Sequence, residues 1–217
     1  VVEKVDELIA VRNLTKSFSD GPVISNISFK LNRGEVLGIM GPNGCGKTTM
    51  LRTILGLENK DSGEVKIRGK IGYVPQDNLL LPWLKLRENI VIGMKISGAG
   101  EREIEERLSY VSELLSLNDH LDKYPNRVSG GTARKASIAR ALIIMPDILI
   151  LDEPYTGLDS SSISILQTLL KNLKKEIRLG IIIVSHQVDE LMEISDRIIV
   201  LTHRPARIKD VIEANKK

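Results

Sequence analysis

Three short stretches hold the residue types that phosphate chemistry needs. Gly41 to Thr49 reads GPNGCGKTT directly after the apolar run Val36-Leu37-Gly38-Ile39-Met40. A strand that breaks into glycines and then enters a helix turns its backbone N–H groups inward, where they cradle an anion. Gly41, four intervening residues, Gly46, Lys47 and Thr48 meet the full P-loop pattern, with Gly44 as an extra permissive position. Glycine lets the main chain approach phosphate, the Lys47 ammonium suits the β and γ oxygens, and the Thr48 hydroxyl suits Mg²⁺. An ordinary glycine-rich turn lacks that strand and helix context, so the stretch predicts a bound nucleoside triphosphate. The second stretch, Asp152-Glu153-Pro154, ends an uninterrupted aliphatic run, Ile148 to Leu151. Ligands of open α/β sheets gather at the carboxyl ends of strands, which predicts both carboxylates beside the phosphate loop. Two adjacent acids at a buried strand end are costly unless a cation compensates them, and Mg²⁺ does so. In the third stretch, Ser185-His186 closes the run Gly180 to Val184. A lone histidine is usually structural, but its place at a strand end keeps a functional reading open.

These groups need strands and helices to hold them. Runs at 36–40, 148–151 and 180–184 have the aliphatic character of central parallel strands covered on both faces. Val11 to Leu31 alternates β-type residues around Asp20-Gly21-Pro22, which predicts a small antiparallel sheet, and EVKIRGKIGYVPQ adds two strands. Phe18, before that turn, either stacks on a base or packs into the small sheet. Gln76, closing the later strands, reads from its residue type as a solvated strand end. Met50, Leu51, Ile54 and Leu55 follow helical spacing, with Gly56 as the stop. From Asp77 the pattern turns helical: Ile104, Leu108, Val111 and Leu115 form one apolar stripe opposite charges. Leu79 to Trp83 is either the core of this insertion or an apolar docking face. Ser164 to Lys175 is a further amphipathic helix, with Leu166, Leu169, Leu170 and Leu173 inward and Lys171, Lys174 and Lys175 on a solvated face.

Composition excludes several classes. Lys+Arg 31 against Asp+Glu 28 gives a net charge of +3, too small and too evenly spread for a nucleic-acid track. Aromatic residues at 3% leave no stacking platform for single strands, so no nucleic-acid partner is expected. The single cysteine, Cys45, rules out an intrachain disulfide framework and suits a reducing cytoplasm. Inside the loop it is either a tolerated filler or a thiol whose pKa a helix N-terminus lowers. No apolar run reaches membrane-span length, and the charged opening VVEKVDELIAVRNL predicts no leader peptide. At 217 residues, one domain with lobes is expected.

The resemblance becomes specific at Val128-Ser129-Gly130-Gly131, which precedes the helical run 133–143. With GPNGCGKTT before it and ILILDEP after it, the chain resembles the ATP-binding subunit of an ABC transporter over nearly its whole length. In that resemblance Ser129, Gly130 and Gly131 match the signature motif, Gln76 the Q-loop glutamine, Gly157-Leu158-Asp159 the D-loop, and His186 the switch histidine. Thr132 departs from the usual Gln, Glu or Met, and Ala133-Arg134-Lys135 from the usual Arg-Gln-Arg. YVPQDNLLLPWLKLRENI and SDRIIVLTHRPARI resemble the importer branch serving nitrate, sulfonate, taurine and thiamine-precursor uptake.

The resemblance implies an α/β fold: a P-loop NTPase core with a mostly parallel sheet, an N-terminal antiparallel β subdomain and an inserted helical subdomain. It implies one domain over 1–217, with 1–76 and 142–217 as the core and 77–141 as the helical subdomain bearing the signature. It also implies ATP hydrolysis with Mg²⁺ in a head-to-tail homodimer or an equivalent heterodimer. Gly41, Pro42, Asn43, Gly44, Cys45, Gly46, Lys47, Thr48 and Thr49 would bind ATP on one subunit, and Ser129, Gly130, Gly131 and Asp159 would act from the other. Thr48, Gln76 and Asp152 would hold the metal, Glu153 would activate water, and His186 would touch the γ-phosphate. Partners would be transmembrane permease subunits and, indirectly, a solute-binding protein, on the cytoplasmic face of the membrane. A soluble ABC ATPase of DNA repair or translation is the alternative, but such chains usually carry a long coiled-coil insertion or two cassettes. The chain's stop at Lys217 predicts no extra C-terminal regulatory domain.

Overall fold

The computed structural model describes residues 6–214; the readings of residues 1–5 as a leaderless start and of 215–217 as the chain's end lie outside it. Two compact units divide the chain, one over Val1–Gly69 and Leu173–Lys217, the other over Lys70–Asn172. The expected helical stretch 77–141 falls wholly within the second, together with strands on either side of it.

In the first unit, β1 (Glu7–Phe18), β2 (Gly21–Asn32) and β4 (Ser62–Ile67) make the predicted antiparallel sheet in the order β2-β1-β4. Alternating apolar residues set its register, so Ile9, Val11, Leu14, Ile27 and Leu31 are all buried. Beside it in sequence, β3 (Val36–Met40) pairs in parallel with β7 (Gly180–Ser185) on one side and β8 (Arg197–Leu201) on the other. β9 (Ile208–Glu213) closes that group antiparallel to β8. All six β7 residues are buried, as a strand covered on both faces requires. α1 (Lys47–Ile54) follows β3, and the short α6 (Val188–Met192) follows β7.

The second unit holds the parallel pair β5 (Ile71–Val74) and β6 (Ile148–Asp152). Its helices are α2 (Leu86–Ile96), α3 (Glu101–Leu114), α4 (Gly130–Leu142) and most of α5 (Ser160–Ile177). The predicted stripe of α3 is buried at Ile104, Leu108 and Val111, and Leu115 is buried just beyond it. α4 lies close on β5: a Cβ on Gly72 would sit 2.4 Å from the Ala141 carbonyl oxygen, so only glycine permits that approach. No helix among the described residues is long and apolar enough to cross a membrane.

Two expectations change. Lys174 is not on a solvated face: its Nζ donates to both carboxylate oxygens of Asp196 at 2.6 and 2.7 Å. Asp196 Oδ2 also accepts from Val36 N at 2.8 Å, so the pair anchors the start of β3. Leu79 and Trp83 do not form the insertion's core, being 62% and 69% exposed. The backbone behind them is nonetheless fixed, because buried Asn89 accepts from Leu81 N at 2.7 Å and donates to the carbonyls of Leu81, Leu84 and Lys85.

Candidate active site

The phosphate loop is built by the register of its strands. Met40 at the end of β3 faces Ser185 at the end of β7, so Gly41 and His186 leave the sheet side by side. Both line one open cleft of about 630 Å³ with Pro42, Asn43, Thr202 and His203. Ser185 Oγ donates to Glu190 Oε2 at 2.6 Å and accepts from Gln187 N at 3.1 Å, which fixes the backbone on both sides of His186. Glu190 sits in a five-residue helix without a strong periodic signal, and sequence reasoning missed it.

Gly46 caps α1 in the left-handed region, φ 116°, with no side-chain acceptor. The cap residue therefore offers no side chain of its own to the amide donors at the start of the helix, the arrangement that takes an anion. A Cβ at Gly46 would lie 2.7 Å from Val23 Cγ1, so β2 backs the loop and the cradle is shaped for a bare backbone. Lys47 is buried, and its Nζ donates to Gly41 O at 2.8 Å and Pro42 O at 3.2 Å, across the loop it closes. The thiol reading of Cys45 is corrected: the side chain is buried, and burial pushes its pKa up against the pull of Lys47, so it is not an activated thiolate. Phe18 ends β1 opposite Gly21 on β2, 43% exposed, with Lys16 Nζ 4.7 Å from the ring centroid.

In the second unit, Val74 on β5 pairs with Leu151 on β6, and Gln76 and Glu153 each lie two residues beyond these partners. Asp152 and Glu153 are both buried, Asp152 completely. Glu153 has φ 46°, a left-handed backbone that a glutamate adopts only under constraint, and such strain collects at functional turns. Gln76 is exposed. Buried Arg134 on α4 donates to the backbone on both sides of this pair, a feature missed because arginine inside a helical run reads as surface.

Ser129 is exposed at the start of α4 and caps it, its Oγ accepting from Thr132 N at 3.2 Å. The Thr132 and Ser129 hydroxyls are 3.0 Å apart, so the unusual residue joins the cap. Gly130 and Gly131 open the first turn. Asp159 caps α5: its Oδ1 accepts from Ser161 Oγ and Ser162 N, both at 2.7 Å. The Ser161 bond, followed by those to Ser162, holds its carboxyl below the usual carboxylate range.

The first unit thus brings together the phosphate loop, Lys47, Thr48 and His186, and the second brings together Gln76, Asp152, Glu153 and α4. Within the second unit, the Asp152 carboxylate and the Gln76 amide oxygen are hard donors of the type that suits Mg²⁺. Among the described residues no group of three or more His, Cys, Asp and Glu could hold a metal ion alone. Mg²⁺ needs no such cage, since it takes one or two carboxylates and fills its shell with phosphate and water.

Comparison with known proteins extends this geometry. The family model described as ABC transporter matches residues 24–156. The aliphatic sulfonates import ATP-binding protein SsuB of Bacillus cereus is 34% identical, over 94% of this chain and 85% of its own length. The sulfate/thiosulfate import ATP-binding protein CysA of Methylococcus capsulatus is 35% identical, over 89% of this chain and 60% of its own. A dimeric ATP-binding cassette solved in a post-hydrolysis state with ADP and Pi superposes with a TM-score of 0.86 at 27% identity, covering 97% of this chain and all of that one.

Proposed function

Because this chain belongs to the ABC transporter family, we propose that it is the ATP-hydrolysing subunit of a membrane importer for a small solute, working as a head-to-tail dimer. The observation that carries the reading is the phosphate loop itself: a buried lysine and an uncapped helix start backed by Val23, with His186 on the same cleft. Each ATP would lie between one subunit's loop and the Ser129-Gly130-Gly131 turn of the other, with Asp159 acting across the dimer. Phe18 would stack on the adenine, its exposed ring leaving room to do so.

Lys47 and the loop amides would neutralise charge that develops on the transferred phosphoryl group. Glu153 would accept a proton from water as its oxygen attacks the γ-phosphorus and the bond to the β-phosphate oxygen breaks. His186 would contact the γ-phosphate. Thr48, Gln76 and Asp152 would hold Mg²⁺ directly or through water. When bound, the ion would neutralise charge on the β- and γ-oxygens.

The exposed Leu79, Trp83 and the intervening leucines would dock onto permease subunits, and a solute-binding protein would act through them. The protein would then sit at the cytoplasmic face of the membrane as a peripheral subunit. Two of the relatives are import ATP-binding proteins, one for aliphatic sulfonates and one for sulfate/thiosulfate, so a small oxyanion or sulfonate is the solute class we favour. The test is steady-state phosphate release from purified protein together with copurification from membranes. Mg²⁺-dependent release and a permease partner support the reading; absence of release from folded, ATP-binding protein overturns it.

A further inference from the structure

One face of α4 is devoted to holding backbone. Arg134, Ser137 and Arg140, three residues apart, all donate into the stretch that carries Gln76. Ser137 Oγ reaches Asn78 O at 3.1 Å, and Arg140 reaches Leu79 O at 2.8 Å and Asn78 O at 2.9 Å. Arg134 does something the other two do not, because it holds a second turn as well. Its Nη1 donates to Pro75 O at 2.7 Å, with longer contacts to Gln76 O at 3.2 Å and Asn78 Oδ1 at 3.3 Å. Its Nη2 donates to Asp152 O at 2.9 Å and its Nε to Pro154 O at 3.1 Å. The residues on either side of Glu153 therefore hang from the same planar group as Pro75, Gln76 and Asn78.

We propose that Arg134 is a positioning residue for ATP hydrolysis, its buried guanidinium locking the Pro75–Asn78 stretch to the Asp152–Pro154 turn so that Gln76 and Glu153 are presented in fixed relation. This rests on the reading of Glu153 as the base.

Stability alone is a poor reason for the residue. Arg134 is only 3% exposed, and burial pushes its pKa down to about 10, with Asp152 pulling the other way. Taking a guanidinium out of water is expensive, and hydrogen bonds to neutral carbonyls return only part of that cost. What the guanidinium adds is geometry: five N–H donors in a rigid fork, aimed at carbonyls of two chain segments. Glutamine, which the family resemblance leads one to expect here, brings two donors from one nitrogen and cannot divide them between both turns. The strained φ of 46° at Glu153 also needs its flanking carbonyls held, and Arg134 holds both. Because Ser129 caps α4, the same clamp ties the signature turn to the turns carrying Gln76 and Glu153 in its own subunit.

The test is R134M and R134K in the full chain, with E153Q in parallel, measuring kcat and KM for MgATP and the thermal midpoint. A misplacement of the order of 1 Å costs up to about 100-fold in rate, so R134M is expected to lower kcat by about 10- to 100-fold. KM should stay within about twofold, and any fall in the midpoint should leave the protein folded at the assay temperature, so that it does not account for the lost rate. R134K, with a charge but no fork, should lie between R134M and wild type. The proposal is overturned if R134M keeps a wild-type kcat while E153Q nearly stops turnover, or if its loss follows only the unfolded fraction. If R134M does not fold, R134K decides: a wild-type kcat contradicts the clamp, and a reduced kcat at unchanged KM supports it. Normal turnover by E153Q would instead remove the reading of Glu153 on which the clamp rests.

Discussion

Met40 and Ser185 are register partners at the ends of two parallel strands, which sets Gly41 and His186 on one cleft. The Lys47 ammonium spans the mouth of the same loop. Lys47→Ala should therefore weaken binding and chemistry together, because the charge acts on bound phosphate as well as on the transition state. Charge-assisted hydrogen bonds are worth about 1.5–3 kcal/mol, so ATP affinity should fall by about 10- to 100-fold. Titration with a fluorescent ATP analogue measures this; unchanged affinity would contradict the role.

The exposed Trp83 gives a separate prediction. Polar substitution of Trp83 or Leu80 should leave the isolated subunit's ATPase close to wild type and reduce copurification with membrane partners. Trp83 is 69% exposed, so its loss creates no cavity and folding should be unaffected. Unchanged copurification would show that this stretch is not the docking face.

Much of this was legible because backbone-directed chemistry leaves a compact trace. The phosphate loop, the buried strands and the apolar stripe of α3 are set by local spacing, and the structure follows them closely. What sequence reasoning missed depends on long-range partners. Lys174 reads as a solvated lysine until Asp196, 22 residues away, is placed beside it. Arg134 looks like a surface arginine until carbonyls from two other segments converge on it. Asn89 carries no periodic signal and is recognised only when the Leu81–Lys85 backbone folds around it. At Cys45 two readings were open, and burial decides for the tolerated filler over the activated thiol.

The Lys174–Asp196 pair should matter for stability and not for phosphate binding. Asp196→Ala removes the partner of a part-buried ammonium and the acceptor for Val36 N. A loss of about 1–3 kcal/mol in unfolding free energy is expected. Urea denaturation checks it, and a change below a few tenths would mean that water replaces the carboxylate at little cost.

Asp159 predicts a pH effect. Its folded-state pKa lies below the ordinary carboxylate value, so its cap is fully present at neutral pH and is lost as pH falls through that lowered value. Asp159→Asn, which still accepts a hydrogen bond, should flatten the acid limb of the stability curve below about pH 4. A parallel acid limb in wild type and variant would remove Asp159 as a contributor.

The central claim is that Glu153, held at its strained turn, draws the proton from the attacking water. General-base assistance is worth about 10² to 10⁴ in rate, so Glu153→Gln should bind ATP with near wild-type affinity, release phosphate at least about 100-fold more slowly and accumulate as an ATP-bound dimer. Size-exclusion chromatography with MgATP, read beside a phosphate-release assay, measures both. A stable ATP-bound dimer with turnover nearly stopped is the expected result; a wild-type rate of hydrolysis by Glu153→Gln would contradict the account.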